Sequence, residues 1–197
     1  IFALRAAAEI QRQKAEKERQ ELLASVERSE EKYRTIFNAS PIGMATFDLE
    51  RLTWITANPK FCEMLGYHET EIKELTVADI TYDQDLDREI RELYRLKTGK
   101  IVNYKLEKRY IKKNGELIPC DLTCTRISDR SQKPILGLAI VEDISEWKQV
   151  EECLRLRDRA ITASNNGIVI CDARYPTLPI IYVNAAFEKI TGYLATN

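Results

Sequence analysis

The chain has 197 residues, 44% of them hydrophobic, enough for one ordinary domain or two small ones with a buried core and too apolar for a disordered tail. Thirty Lys and Arg residues balance thirty-one Asp and Glu, and no block of one sign supplies the electrostatic footprint that nucleic acid demands. No apolar run approaches the roughly 20 residues that span a bilayer, and Ile1-Phe2-Ala3-Leu4-Arg5 is too short for a signal peptide, so a cytoplasmic chain without a membrane span is expected, one that reads as excised from a longer protein.

Residues 1–32 are rich in Ala, Glu, Gln, Lys and Arg and lack Gly and Pro, which predicts one long helix. Leu4, Ala8, Ala15, Leu22, Val26 and Tyr33 recur at spacings of four or seven, the stripe of a seam between helices, interrupted by Gln11 and Glu18. From Gly43 the pattern changes to short strands, Met44 to Asp48 and Leu52 to Thr56, joined by Leu49-Glu50-Arg51. Pro59 to Leu65 reads as a helix capped by Asn58 and ended by Gly66. A further helix, Leu86 to Lys97, puts Leu86, Ile90, Leu93 and Tyr94 on one face, with Gly99 at its end.

Strands Ile101 to Ile111 and Leu117 to Ile127 flank the hairpin signal Asn114-Gly115. A third strand, Ile135 to Val141, is apolar on both faces, so its outer side requires cover. Trp147, Val150, Leu154 and Ile161 then recur with helical spacing in a charged, Gly-free stretch. Leu22 and Val26 in the first helix and Val150 and Leu154 in this one are the candidate dimer seam.

Five cysteines, at 62, 120, 124, 153 and 171, include no CxxC pair and no His partners, so no metal site is expected. Cys120 and Cys124 lie about 13 Å apart in a straight strand, beyond the roughly 7 Å that a disulfide tolerates. One histidine and seven scattered glycines supply neither a nucleophile with its base nor a phosphate-cradling loop, so catalysis is not expected.

Ala39, Ser40, Gly43 and Asp48 match Ala163, Ser164, Gly167 and Asp172 at an offset of 124. Asn58, Phe61, Gly66 and Tyr67 match Asn184, Phe187, Gly192 and Tyr193 at 126, the difference lying in a longer hairpin around residues 175–179. A repeat this long means duplicated domains rather than a solenoid, whose units run to about 20 to 50 residues. The second copy stops after two strands and a helix.

This order of elements resembles the PAS family. Ser29-Glu30-Glu31-Lys32-Tyr33-Arg34 leading to Phe37-Asn38-Ala39-Ser40-Pro41 looks like its opening, Asn58-Pro59-Lys60-Phe61 to Leu65-Gly66-Tyr67 like its first core helix, and Asp143-Ile144-Ser145 like its exit motif. The resemblance implies an α+β fold: a five-stranded antiparallel sheet with short helices on one face, enclosing a small pocket, flanked by long N-terminal and linker helices. The expected organisation is a signalling helix over 1–32, a complete PAS domain over 33–144, a linker helix over 145–160 and the start of a second PAS domain over 161–197. Residues 1–10 look like the last helix of a GAF domain, which implies a multidomain sensor.

By the same resemblance, Met44, Phe61, Met64, Leu65, Ile90 and Tyr104 are the pocket candidates, their bulk favouring a filled interior. Asp143, Ser145 and Trp147 are the relay candidates, with Asp143 suited to cap the following helix. In light-sensing LOV members a cysteine reacts with flavin. Val77 stands at that position, and the helix Leu86 to Lys97 has no histidine for haem, so neither thiol–flavin photochemistry nor histidine-ligated haem is expected in the first domain, where a noncovalent flavin or a small metabolite stays open. The lone His68 reads as a solvent-facing turn residue. Residues 180–187 look closer to flavin-binding members, which allows a flavin in a completed second domain. The resemblance implies a non-catalytic sensory and dimerisation module that relays a signal through its flanking helices, working as a homodimer with adjacent sensor and output domains, the latter a histidine kinase or a cyclic-dinucleotide enzyme. The alternative is a domain that binds flavin or a small metabolite as a ligand or redox sensor.

Overall fold

The computed structural model of the protein describes residues 2–128 and 134–193, with side chains from residue 12 onward and, in the last strand of the large sheet, from residue 136. The chain divides into two units, Ile1–Asp143 and Ile144–Asn197.

The first unit opens with helix α1, Phe2–Ala39, which runs seven residues past the boundary expected from composition because nothing breaks it before Ser40-Pro41. The side chains of Leu4 and Ala8, and of the stretch likened to a GAF helix, lie outside the described residues. Strand β1, Gly43–Asp48, turns back into β2, Trp54–Ala57. The expected start of β2 at Leu52 moves to Trp54, because Leu52 takes a left-handed backbone (φ 56°) while the Asp48 carboxylate accepts from the amides of Glu50 and Arg51. Helix α2, Pro59–Leu65, has the cap and stop expected of it: the Asn58 side chain accepts from the Phe61 amide, and Gly66 closes the helix at φ 78°. After α3, Glu69–Ile72, and a 3-10 turn, Ala78–Ile80, helix α4 spans Asp83–Lys97.

Strands β3, Asn103–Ile111, β4, Leu117–Ser128, and β5, Pro134–Asp143, complete one antiparallel sheet in the order β2-β1-β5-β4-β3. The α+β fold and the five-stranded sheet expected from the resemblance are therefore present. Alternation sends Ala45, Phe47, Leu106, Leu122, Ala139 and Val141 to the core face, where α2, α3 and α4 cover them. Each large side chain buried there contributes about 1.5–3 kcal/mol. On the outer face of β5, Leu136, Leu138 and Ile140 are half-buried.

The second unit comprises α5, Ser145–Ala163, the hairpin of β6, Val169–Cys171, with β7, Ile180–Val183, and α6, Ala185–Thr191. Two strands cannot bury both of their faces, and Val169, Ile170, Ile180, Ile181 and Tyr182 are all exposed.

Candidate functional site

Two constellations in the first unit carry polar chemistry away from solvent. One is centred on Asn58, which is fully buried. Its Nδ2 donates to the carbonyls of Phe37 (3.0 Å), at the end of α1, and Ile42 (2.9 Å). Its Oδ1 accepts from the amides of Met44 (2.9 Å), in β1, and Phe61 (2.9 Å), in α2. One amide thus ties the lead-in helix, the first strand and the first core helix together through four backbone groups. The second unit repeats the device bond for bond. Asn184 donates to the carbonyls of Ile161 and Asn166 and accepts from the amides of Ile168 and Phe187, at 2.8–3.0 Å. The sequence marks both asparagines as helix caps; the two further donations to the preceding helix and turn are a tertiary event.

The other constellation lies between α4 and the core face of β3. Lys108 and Glu89 are both buried, and the ammonium meets the carboxylate at 2.5 Å. The buried Thr81 hydroxyl accepts from the same ammonium (2.9 Å) and lies 3.0 Å from the Glu89 carboxylate and 2.7 Å from the Val77 carbonyl. Lys108 also sits 3.8 Å from the ring centroid of Tyr110. Burial lowers the lysine's affinity for its proton even with Glu89 beside it. In the same core Tyr104, Tyr110 and Trp54 are buried; the Trp54 indole N–H and the Tyr110 hydroxyl have no hydrogen-bond partner, and the Tyr104 hydroxyl has only the Cys124 thiol beside it. Burial, reinforced by the thiol of Cys124 and the charge of Glu89, holds the Tyr104 hydroxyl firmly protonated, and burial with Glu89 does the same for Tyr110. Cys120 and Cys124 are pushed up to about 12, first by burial, so both remain thiols.

Of the pocket candidates, Phe61, Met64, Leu65 and Tyr104 are buried in this core. Met44 is not among them: it points to the opposite face of the sheet, paired with Ile140. The core face of β1 needs small residues where α2 packs, since a Cβ on Gly43 would lie 3.1–3.4 Å from the Val141 carbonyl, Phe61 and Met64, and the alternation then sends Met44 outward. Ile90 is 38% exposed, because α4 turns Glu89, Leu93 and Leu96 inward and leaves Ile90 and Tyr94 toward solvent. The charged partner won the buried position over the apolar one.

Asp143 is the last residue of β5, opposite Cys120, whose thiol its charge helps to hold protonated. The cap position of α5 is Ile144, one residue later than expected, and its side chain offers no acceptor; Ser145 opens the helix. Trp147, Val150 and Leu154 are exposed along α5, as are Leu22 and Val26 along α1. His68 is an exposed turn residue whose amide donates to Glu71. Val77 is buried, with no thiol at the position that the LOV resemblance would require. Among the described residues no cluster of His, Cys, Asp and Glu could hold a metal, and no helix is long and apolar enough to cross a membrane.

Sequence reading missed Glu89, Thr81 and Lys108. A signal for the last was present: Tyr104, Leu106, Lys108 and Tyr110 share one face of a strand by period two, so a lysine among buried neighbours was there to be read.

Comparison with known proteins agrees with this architecture. The PAS domain family matches twice, over residues 41–146 and 154–196. The probable diguanylate cyclase DgcE of Escherichia coli K12 is 31% identical over 142 residues, which are 72% of this chain and 13% of that protein. The sensor histidine kinase TmoS of Ectopseudomonas mendocina is 28% identical over 140 residues, 71% of this chain and 14% of its own length. The chain therefore corresponds to a small part of either relative. The PAS domain of an HTR-like protein from Haloarcula marismortui superposes with a TM-score of 0.53 at 22% identity, covering 64% of this chain and 99% of that one, a likeness of fold.

Proposed function

The chain belongs to the PAS domain family, and on that premise we propose that it is a non-catalytic sensory and dimerisation module, which relays a change in the core of the first unit through the helices α1 and α5. The observation that carries this reading is the asparagine junction. Asn58 holds the end of α1, the start of β1 and the start of α2 in one buried hydrogen-bond set, so a displacement of any one is felt by the others. That Asn184 makes the equivalent four bonds, one of them to the Ile161 carbonyl in α5, supports α5 as a link tied to the opening of the second unit in the same way. Leu22 and Val26 on α1, and separately Val150 and Leu154 on α5, are exposed apolar positions available to a second copy of the chain. Output through a kinase or cyclase domain elsewhere in the parent protein fits the two relatives above. A flavin in a completed second unit is the expectation that the LOV resemblance leaves for residues 180–187.

Hydrogen exchange on Asn58→Ala tests the junction. The amides of residues 36–40, at the end of α1, and of residues 43–47, in β1, should lose protection together. Loosening of β1 with residues 36–40 unchanged would separate the helix from the sheet and defeat the relay.

A further inference from the structure

Helix α4 carries an apolar stripe that the core does not use. Leu86, Ile90 and Tyr94 recur one turn apart; Leu86 is half-buried, Ile90 is 38% exposed and Tyr94 61%. The buried pair of Glu89 with Lys108, flanked by the inward-facing Leu93 and Leu96, fixes the rotation of the helix. The stripe therefore cannot turn inward without drawing a carboxylate away from its lysine. Exposed apolar side chains scattered singly call for no explanation, but three in one row along a helix form a surface.

The charges along that row are segregated. A helix turns by about 100° per residue, which sets Asp83 and Lys97 in line with the stripe at its two ends, and Asp87 and Arg91 along its outer edge. Acidic residues thus flank the N-terminal half and basic ones the C-terminal half. An acidic first turn and a basic last turn also suit the dipole of the helix itself, yet Asp87 and Arg91 belong to the middle turns. Both are exposed, and although they stand four residues apart, neither forms an ion pair among the described residues.

This pattern is complementary to itself. When a second α4 is laid antiparallel on the first, with a two-fold axis at Ile90, Ile90 meets its own copy, Leu86 meets Tyr94, and Asp83 meets Lys97. Asp87 then lies beside Arg91 of the copy along the edge. Lys97 already contacts Glu50 at 2.7 Å, so the pairing of Asp87 with Arg91 is the cleaner charge contact. A parallel arrangement would set like charges against each other.

We propose that α4 is a contact surface for a second copy of this chain, in an antiparallel, two-fold arrangement centred on Ile90. The 15 residues of α4 make it about 22 Å long. One helix face of that length falls short of the roughly 800 Å² per partner that stable pairs bury, so the contact is weak by itself and forms where copies are already concentrated. It lies on a different element from Leu22 and Val26, so copies paired through α1 can be joined to other pairs through α4. The proposal goes beyond the relay reading and stands without it.

Leu22→Glu with Val26→Glu takes α1 out of the comparison, and sedimentation equilibrium follows the mass of that variant up to about 1 mM, where a contact of this size associates. The mass should rise above that of a single chain as the concentration increases. In that background Asp87→Arg and Arg91→Asp should each weaken the association about tenfold, because two attractions across the axis become two repulsions. A mixture of these two variants should associate far better than either alone, since each supplies the charge that the other lacks. The variant carrying both substitutions should recover self-association. Recovery in the mixture excludes misfolding as the cause of the loss. A single-chain mass at every concentration, undiminished association in either variant alone, or a mixture that associates no better than its components would overturn the proposal. Each of these outcomes leaves the Asn58 exchange experiment to decide the relay separately.

Discussion

Lys108 and Glu89 are an expensive pair to bury, since each ion loses several kcal/mol of hydration and recovers it only through a short contact and further hydrogen bonds. The 2.5 Å contact, the Thr81 hydroxyl and the Tyr110 ring provide that recovery. Lys108→Met alone leaves Glu89 charged in the core and should cost about 3–5 kcal/mol in urea unfolding. Adding Glu89→Leu should restore most of the loss, because an apolar pair of similar volume needs no compensation. A double variant no more stable than the single one would mean that packing, rather than charge, explains the loss. At this scale the sequence was half legible. The inward position of Lys108 follows from the period of β3, but its partner is 19 residues away on a helix, and nothing local joins them.

At the level of elements, helix caps and stops were readable because they are local: Asn58 and Gly66 act on amides and carbonyls within one turn. The orientation of α4 was not. Leu86, Ile90, Leu93 and Tyr94 form as plausible a stripe as Glu89, Leu93 and Leu96, and only the buried lysine on β3 decides between them. Helix α1 poses the opposite case. Its apolar residues Leu22 and Val26 stay exposed at 66% and 56%, and a 38-residue helix with such a stripe is better covered by a partner helix than by water. Leu22→Glu with Val26→Glu should therefore reduce the mass of the protein in solution toward that of a single chain, as read by light scattering. An unchanged mass would remove α1 from the dimer seam.

On the scale of the whole chain, the two units differ in what they can bury. The first has five paired strands and a continuous core. In the second, Asn184 is buried, while the hairpin's large apolar residues remain exposed. Native-state hydrogen exchange on the 197-residue chain should accordingly find the amides of β6 and β7 exchanging by local opening at low free energy, while those of β4 and β5 exchange near the global limit. Equal protection in both hairpin and sheet would show that residues 169–183 gain stability from contacts outside their own hairpin. The sequence by itself determined the family, the strand and helix order, the duplication and the cap and stop of α2, because these are written in periodicity and in short motifs acting on neighbouring backbone. The tertiary structure alone decided that Glu89 turns inward and Ile90 outward, that Met44 leaves the core face, and that Asn58 reaches back to α1. Those outcomes depend on strand register and on partners distant along the chain, where the energy of pairing a buried polar group outweighs any local preference.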